Sequence, residues 1–295
     1  MKTQSNRRNF IQTAAIMATG LFSARLVNAK PSSPDGLSFG ENPSNDTLKT
    51  IHKLHTTHGN FSAKEIPAEE IETIKKACVR AANSSNMQTY SIVEVWDKPL
   101  MKDVCGYTGS CLLLFCVDYN RLIASSESLN LPYYPGDMTA FVTASINTSI
   151  AAQTAVIAAR SLEIDALLTN GIHRGNIDRH WDLLNLPEKH CMPLIALVMG
   201  YADTKPDHFE GRLDGTGIFH QKSYQMPNAE ELEEITAKYD DPELHLGLNP
   251  DWKEQGNEHY LQWLFEKWLG RDAKPKEQDT QLFAQLKKRG FVETL

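Results

Sequence analysis

The chain has 295 residues, 41% of them hydrophobic and 23% charged, with 30 Lys+Arg against 37 Asp+Glu. That is enough apolar material for one large core or two small ones, and it excludes a collagenous, coiled-coil or wholly disordered chain. A formal charge of -7 argues against nucleic acid as a partner, because neutralising phosphates takes a basic face.

Residues 1–29 read as an export signal. Ser5-Asn6-Arg7-Arg8-Asn9-Phe10-Ile11 precedes a modest apolar run from Ala14 to Phe22, and Val27-Asn28-Ala29 offers small residues where a signal peptidase cuts. Adjacent arginines, an aromatic two residues on and a weakly hydrophobic stretch resemble a twin-arginine signal. The expected partner is the twin-arginine export machinery, and the expected location of the mature chain is the periplasm. Loss of Lys2, Arg7, Arg8 and Arg25, with no acid removed, takes the formal charge from -7 to -11. Cys78, Cys105, Cys111, Cys116 and Cys191 all remain, an odd number without a CxxC pair. They suit neither a disulfide framework nor a zinc site, and read as small buried hydrophobes.

Residues 30–47, rich in Pro, Ser, Gly and Asn, read as a linker, and 48–295 as the folded domain. A helix is expected from Asp46, as N-cap, to about His55. A second starts at Pro67, with Glu69 and Glu70 at its positive end, Lys75, Lys76 and Arg80 at the other, and Ile71, Ile74, Cys78 and Ala81 on one face. Ser91–Trp96 alternates as a strand, and Cys111–Val117 is a continuous apolar run suited to a central strand. The window Phe141–Ala159 carries no charge, yet seven of its nineteen residues are Thr, Ser, Asn or Gln. It suits a buried helix, about Thr139–Leu162, rather than a lipid-facing one, so no stable membrane insertion is expected. A strand at Ala166–Thr169, a helix at about Asn176–Leu184 and a strand at Leu194–Met199 ending in Gly200 follow. Residues 227–295 read as a mainly helical C-terminal extension with aromatic anchors Tyr260, Trp263, Trp268 and Phe283.

Three groups could carry chemistry. His52, His55 and His58 recur every third residue, a spacing that could hold a metal if the helix continued, but Thr56, Thr57 and Gly59 favour ending it first, and no metal site is assigned. Ala82-Asn83-Ser84-Ser85-Asn86-Met87-Gln88 is a run of small hydrogen-bonding side chains between helix and strand, equally a polar ligand edge or a capped turn. Thr169-Asn170-Gly171 closes a strand with a glycine that lets a backbone N–H approach a ligand, and Arg212 could hold a phosphate.

Together these segments resemble the FMN-dependent nitroreductase family, in its NADPH nitroreductase and flavin reductase P-like branch. The resemblance runs over about residues 48–295. It is carried in order by His55–Phe61, Ser84–Gln88, Leu114–Arg121, Ala151–Gln153 with Ala158–Leu162, Leu183–Pro187, Gly200-Tyr201, Arg212-Leu213 and His220–Tyr224. It implies an α+β sandwich with a central mixed β-sheet flanked by helices. It also implies an intertwined homodimer in which residues 227–295 include an arm on the partner. FMN would be the cofactor and NAD(P)H the electron donor. The implied reaction is a two-electron transfer to a small-molecule acceptor: nitroaromatic, quinone or flavin-like. By the family pattern His55 and Thr57 face the phosphate and ribityl region, and Asn83, Ser85 and Gln88 line the flavin. Asn170 and Gly171 present N–H groups near its reactive edge, and Arg212 holds the phosphate. The flavin does the chemistry, so no side chain is assigned as catalytic.

The chain departs from the pattern where Thr56, Gly59 and Glu210 replace basic residues, and an arginine restored at 59 is expected to tighten FMN. The stretch from Val104 to Cys111 is also short. Two other readings follow: a degenerate relative that binds FMN weakly or not at all and serves as a binding protein, and a metal-binding protein using the histidine triplet.

Overall fold

The computed structural model describes residues 45–270 and 277–292. The export signal and nearly all of the linker lie outside the described residues. In chain order the larger elements are α1 (Asp46–His52), α2 (Ala68–Cys78), β1 (Tyr90–Val95), α3 (Lys98–Cys105), β2 (Cys111–Asp118), α4 (Asn120–Ser128) and α5 (Met138–Ser161). They continue with β3 (Asp165–Thr169), α6 (Arg179–Leu184), β4 (Cys191–Gly200), α7 (Ala229–Asp240), α8 (Tyr260–Trp263) and α9 (Glu277–Lys288).

The strands form one sheet in the order β1-β2-β4-β3. All three pairings within the chain are antiparallel. The apolar run of β2 is central, as its composition predicts, and it is buried on both faces. Leu112, Leu114 and Cys116 face α3, α6 and the C-terminal residues Leu286 and Phe291. Cys111, Leu113 and Phe115 face α2 and α5. The result is a three-layer α/β/α arrangement, α+β in class.

The expectation for α5 holds on one face only. Ala144, Asn147, Thr148, Ala151, Ala152, Ala155 and Ala159 are buried, so small side chains bring the helix close to the sheet. Met138, Val142, Ile146 and Ile150 stand exposed in a stripe four residues apart. By length and composition this helix could cross a membrane, but its buried alanines pack on the sheet.

The first helix is shorter than expected. Asn45 rather than Asp46 caps it, accepting from Leu48 N at 3.0 Å, and it ends at His52. His55 and His58 therefore leave the helix, and the triplet does not share one helical face.

The C-terminal extension divides. Tyr260 and Trp263 are buried with Trp252 in a small cluster of their own, while Trp268 and Phe283 are exposed. The last described turn returns to its own core rather than standing free as an arm. Arg289, 1% exposed, lies 3.6 Å over the Trp181 ring. It donates to Asp178 at 2.7 Å, to Gln285 at 3.3 Å and to Glu188.

His180, on α6, is fully buried and donates from Nε2 to Ile172 O at 2.7 Å, while its Nδ1 has no partner. Burial pushes its pKa down to about 4. The unfolded chain takes up this proton near the ordinary histidine value of about 6.5. The stability contributed is therefore complete above that value and is lost as pH falls from about 6.5 towards 4, at up to ~1.4 kcal/mol per pH unit and ~3 kcal/mol in all. His190, lowered by burial, adds in the same direction. Asp178, lowered chiefly by its hydrogen bond from Lys288, matters only below the ordinary carboxylate range. Urea unfolding at pH 7 and 4.5 should show a large acid loss in wild type and a loss smaller by about one proton in His180→Gln, which keeps a donor for Ile172. Equal losses would place the acid sensitivity elsewhere.

Candidate cofactor-binding site

After α1 the chain crosses the sheet end where β3 begins. Thr57 N donates to Ala166 O at 3.0 Å, and the Thr57 side chain is buried. His55 donates from Nδ1 to Lys53 O at 3.0 Å, since a carbonyl can only accept. Its Nε2 lies 3.3 Å from Asp165 Oδ1 but is not aligned for a hydrogen bond, and it is buried without a partner. Asp165 also takes Arg160 Nη1 at 2.7 Å and, through Oδ2, Ala202 N at 2.8 Å. The Phe209 ring stacks on His55 with centroids 4.9 Å apart.

That stack joins the second segment to the first. Asp203 N donates to Asn60 O at 2.8 Å, Asn60 Nδ2 to Thr204 Oγ1 at 3.1 Å, and Phe61 pairs with Ala202. Three residues past Phe209 stands Arg212, exposed, with Nη1 donating to Glu210 O at 3.1 Å and Gly211 O at 2.7 Å. Among the described residues no carboxylate pairs with it. The structure thus brings His55 and Thr57 to one end of the sheet, with Phe209, three residues before Arg212, stacked on His55.

Gly59 sits in a conformation that bears on the expected gain from an arginine there. Its φ is +84°, and a Cβ there would lie 2.9 Å from Tyr107 Cδ1. An arginine at this position must adopt left-handed backbone and displace the Tyr107 ring, so a cation introduced there costs strain before it gains any contact.

The Asn83–Gln88 stretch lies elsewhere. Ser85, Asn86 and Gln88 have φ of 51°, 55° and 51°, a cluster of left-handed non-glycine residues. Such backbone persists only where the surroundings enforce it. Asn147, buried on α5, accepts from Ser84 N at 3.0 Å and donates to Thr89 Oγ1 at 3.0 Å. Asn83 Oδ1 accepts from Gln88 N at 3.0 Å, and Arg121 donates to the carbonyls of Met87 and Gln88. The Ser85 side chain is left exposed and Gln88 half-buried.

The two groups occupy opposite sheet ends within one chain. The strained loop runs into Tyr90, opposite Val117, whereas Asp165 sits opposite Gly200, beside the Cys111–Met199 pair. The length of β2 puts them roughly 23 Å apart along the strands. Asn170 and Gly171 leave the far end of β3, about 13 Å from Asp165 by strand rise. Gly171 N donates to Thr169 Oγ1 at 3.0 Å, so this N–H is occupied within the chain rather than held open for a ligand.

No protein-family model matches the chain. An NADPH-dependent oxidoreductase of Staphylococcus epidermidis is 25% identical over 264 residues, covering 84% of this chain and 99% of the relative. The solved NfrA1 nitroreductase of B. subtilis superposes with a TM-score of 0.66 at 23% identity, covering 83% of this chain and 98% of the other. An NADPH:FMN oxidoreductase of Vibrio harveyi, solved in complex with NAD+, gives 0.66 at 22% identity and the same coverage.

The chain has the nitroreductase fold. Four residues that position its two polar ends were not singled out by the motifs: Asp165 and Arg160 at one, Asn147 and Arg121 at the other. An acid heading an otherwise apolar strand, Asp165-Ala-Leu-Leu, was the one signal available for the first pair. Asn147 shares its uncharged helix with other polar residues, and nothing in the sequence marks it as buried.

Proposed function

We propose that this chain is an FMN-dependent oxidoreductase of nitroreductase type. It would use NAD(P)H as donor and nitroaromatic, quinone or flavin-like molecules as acceptors. When bound, FMN supplies the two-electron chemistry by accepting a hydride from the donor and passing the reducing equivalents on. The observation that carries the reading is the exposed Arg212 guanidinium, paired with no carboxylate among the described residues and three residues past the Phe209 ring that stacks on His55. The guanidinium is a donor suited to a phosphate, and it stands on a nitroreductase scaffold. Arg212 and His55 would hold the phosphate. Asn83, Ser85 and Gln88 present polar groups suited to the edge of a flavin ring.

The separation of these groups within one chain favours a site completed by a second copy. The exposed stripe of Met138, Val142, Ile146 and Ile150 gives that copy an apolar surface to cover. The homodimer would bring the strained loop of one protomer to the phosphate end of its partner. A weak-binding, non-enzymatic role is the second reading. It is favoured by Gly171 N–H, already satisfied by Thr169, and by the Phe209 ring seated on His55. Colour separates the two: protein that is yellow and releases FMN on denaturation supports the enzyme.

Arg212→Ala should weaken FMN about ten- to hundredfold, as loss of a charge-assisted contact worth roughly 1.5–3 kcal/mol requires. Calorimetric titration of the apoprotein measures it. Wild type without measurable FMN affinity would sink the oxidoreductase reading, whereas an unchanged variant would sink only this assignment.

Ile146→Asp puts a charge in the apolar stripe and should convert the dimer to monomer, with loss of bound FMN because the site is then incomplete. Light scattering on a size-exclusion column reads the mass. A variant that stays dimeric and yellow contradicts the proposed interface.

Export by the twin-arginine route is part of the same proposal, resting on Arg7-Arg8, Phe10 and the Val27–Ala29 cleavage site. Arg7→Lys with Arg8→Lys should leave the precursor in the cytoplasm. Normal processing of this double variant in cells lacking the twin-arginine translocase would refute it.

A further inference from the structure

Both arms of the phosphate-holding end converge on one carboxylate. Asp165 Oδ2 accepts from Ala202 N at 2.8 Å, which fixes the start of the segment leading to Phe209 and Arg212. Asp165 Oδ1 lies 3.3 Å from His55 Nε2 and accepts from Arg160 Nη1 at 2.7 Å. The three side chains are largely enclosed, with exposures of 15% for Asp165, 11% for Arg160 and 8% for His55. The backbone repeats the convergence, because Thr57 N bonds Ala166 O next door and Phe209 stacks back on His55.

An acid this close to a phosphate opposes binding unless its charge is cancelled. Arg160 does this, dividing its guanidinium between Asp165 and Glu163, the latter at 3.1 Å from Nη2. The arrangement keeps Asp165 as an acceptor for the Ala202 N–H beside the imidazole while offsetting its charge. Glu163 is itself well exposed and screened by water.

We propose that Asp165 is the positioning residue for the phosphate-holding half of the site, ordering the His55 and Arg212 arms together, with Arg160 as its counter-ion. This rests on the flavin reading above. In this reading Asp165 belongs to the phosphate end, so its effect should fall on the phosphate. Riboflavin, which has the same ring without phosphate, is the internal control.

The experiment uses the full mature chain, freed of bound flavin, and measures dissociation constants for FMN and riboflavin by fluorescence titration. The readout is the ratio of riboflavin to FMN constants. Partial unfolding lowers the active fraction equally for both ligands, so the ratio reports phosphate recognition rather than fold. Asp165→Asn keeps the shape and an oxygen for Ala202 but loses the charge. It should lower the ratio about tenfold, as loss of one charge-assisted arrangement implies. Arg160→Gln leaves the carboxylate unbalanced and should lower it in the same direction; it also serves if Asp165→Asn does not fold. A ratio unchanged in either variant, in protein whose wild type prefers FMN, overturns the role of Asp165 and leaves the flavin reading intact. Wild type that binds neither flavin overturns both.

Discussion

The fold depends on burying both faces of β2. Seven consecutive residues, Cys111 to Val117, have essentially no contact with solvent, and a strand of that kind is stable only between two covering layers. α2 and α5 form one layer, and α3, α6 and the returning C-terminal turn the other. With both faces of the sheet covered by apolar side chains, polar chemistry is confined to the sheet ends, where loops emerge. His55 and Thr57 lie at one such end and the Asn83–Gln88 loop at the other.

The same constraint explains the unusual helix α5. To sit close over the central strands it turns alanines inward, and its bulky Val142, Ile146 and Ile150 are left outside. The usual order of an amphipathic helix, with large residues in and polar residues out, is thereby altered, and a second apolar face appears on the surface. A second copy of the chain, as proposed, gives that face a use: it removes apolar area from water and supplies the polar loop that one chain holds at the wrong end.

Much of this was legible in the sequence where one strong local signal suffices. The central strand followed from an uninterrupted apolar run, and α2 from Pro67, its charge gradient and its apolar spacing. Where signals were short or distributed they misled or fell silent. α3 was not foreseen, although Asp97 caps it by accepting from Leu100 N at 2.7 Å and Pro99 sits in its first turn. The first helix was read too long because the histidine spacing resembles a helical face, whereas Thr57 gains more by bonding the β3 edge. Composition marked the Asn83–Gln88 loop as polar but could not give its left-handed backbone, which Asn147 and Arg121 enforce from 30 or more residues away. Asp165 shows in the sequence only as an acid heading an apolar strand, since Ala202 and His55 meet it only after folding.

The positions where the resemblance leads one to expect basic residues take on a different sense in this geometry. Gly59 is not merely a missing cation, because its left-handed backbone lets the loop press against Tyr107. Neither Thr56 nor Glu210 brings a positive charge, and the chain is acidic overall, with a formal charge of -7. Charges beyond about 8–10 Å are largely screened at physiological salt, so that acidity matters less to a phosphate than the groups touching it. Fewer cations then make each remaining contact more dependent on its placement. A guanidinium held in position loses less entropy on binding than one that must first be ordered. If, as proposed, Asp165 with its Arg160 counter-ion supplies that ordering, recognition of the phosphate would rest on how firmly a few donors are held rather than on how many there are.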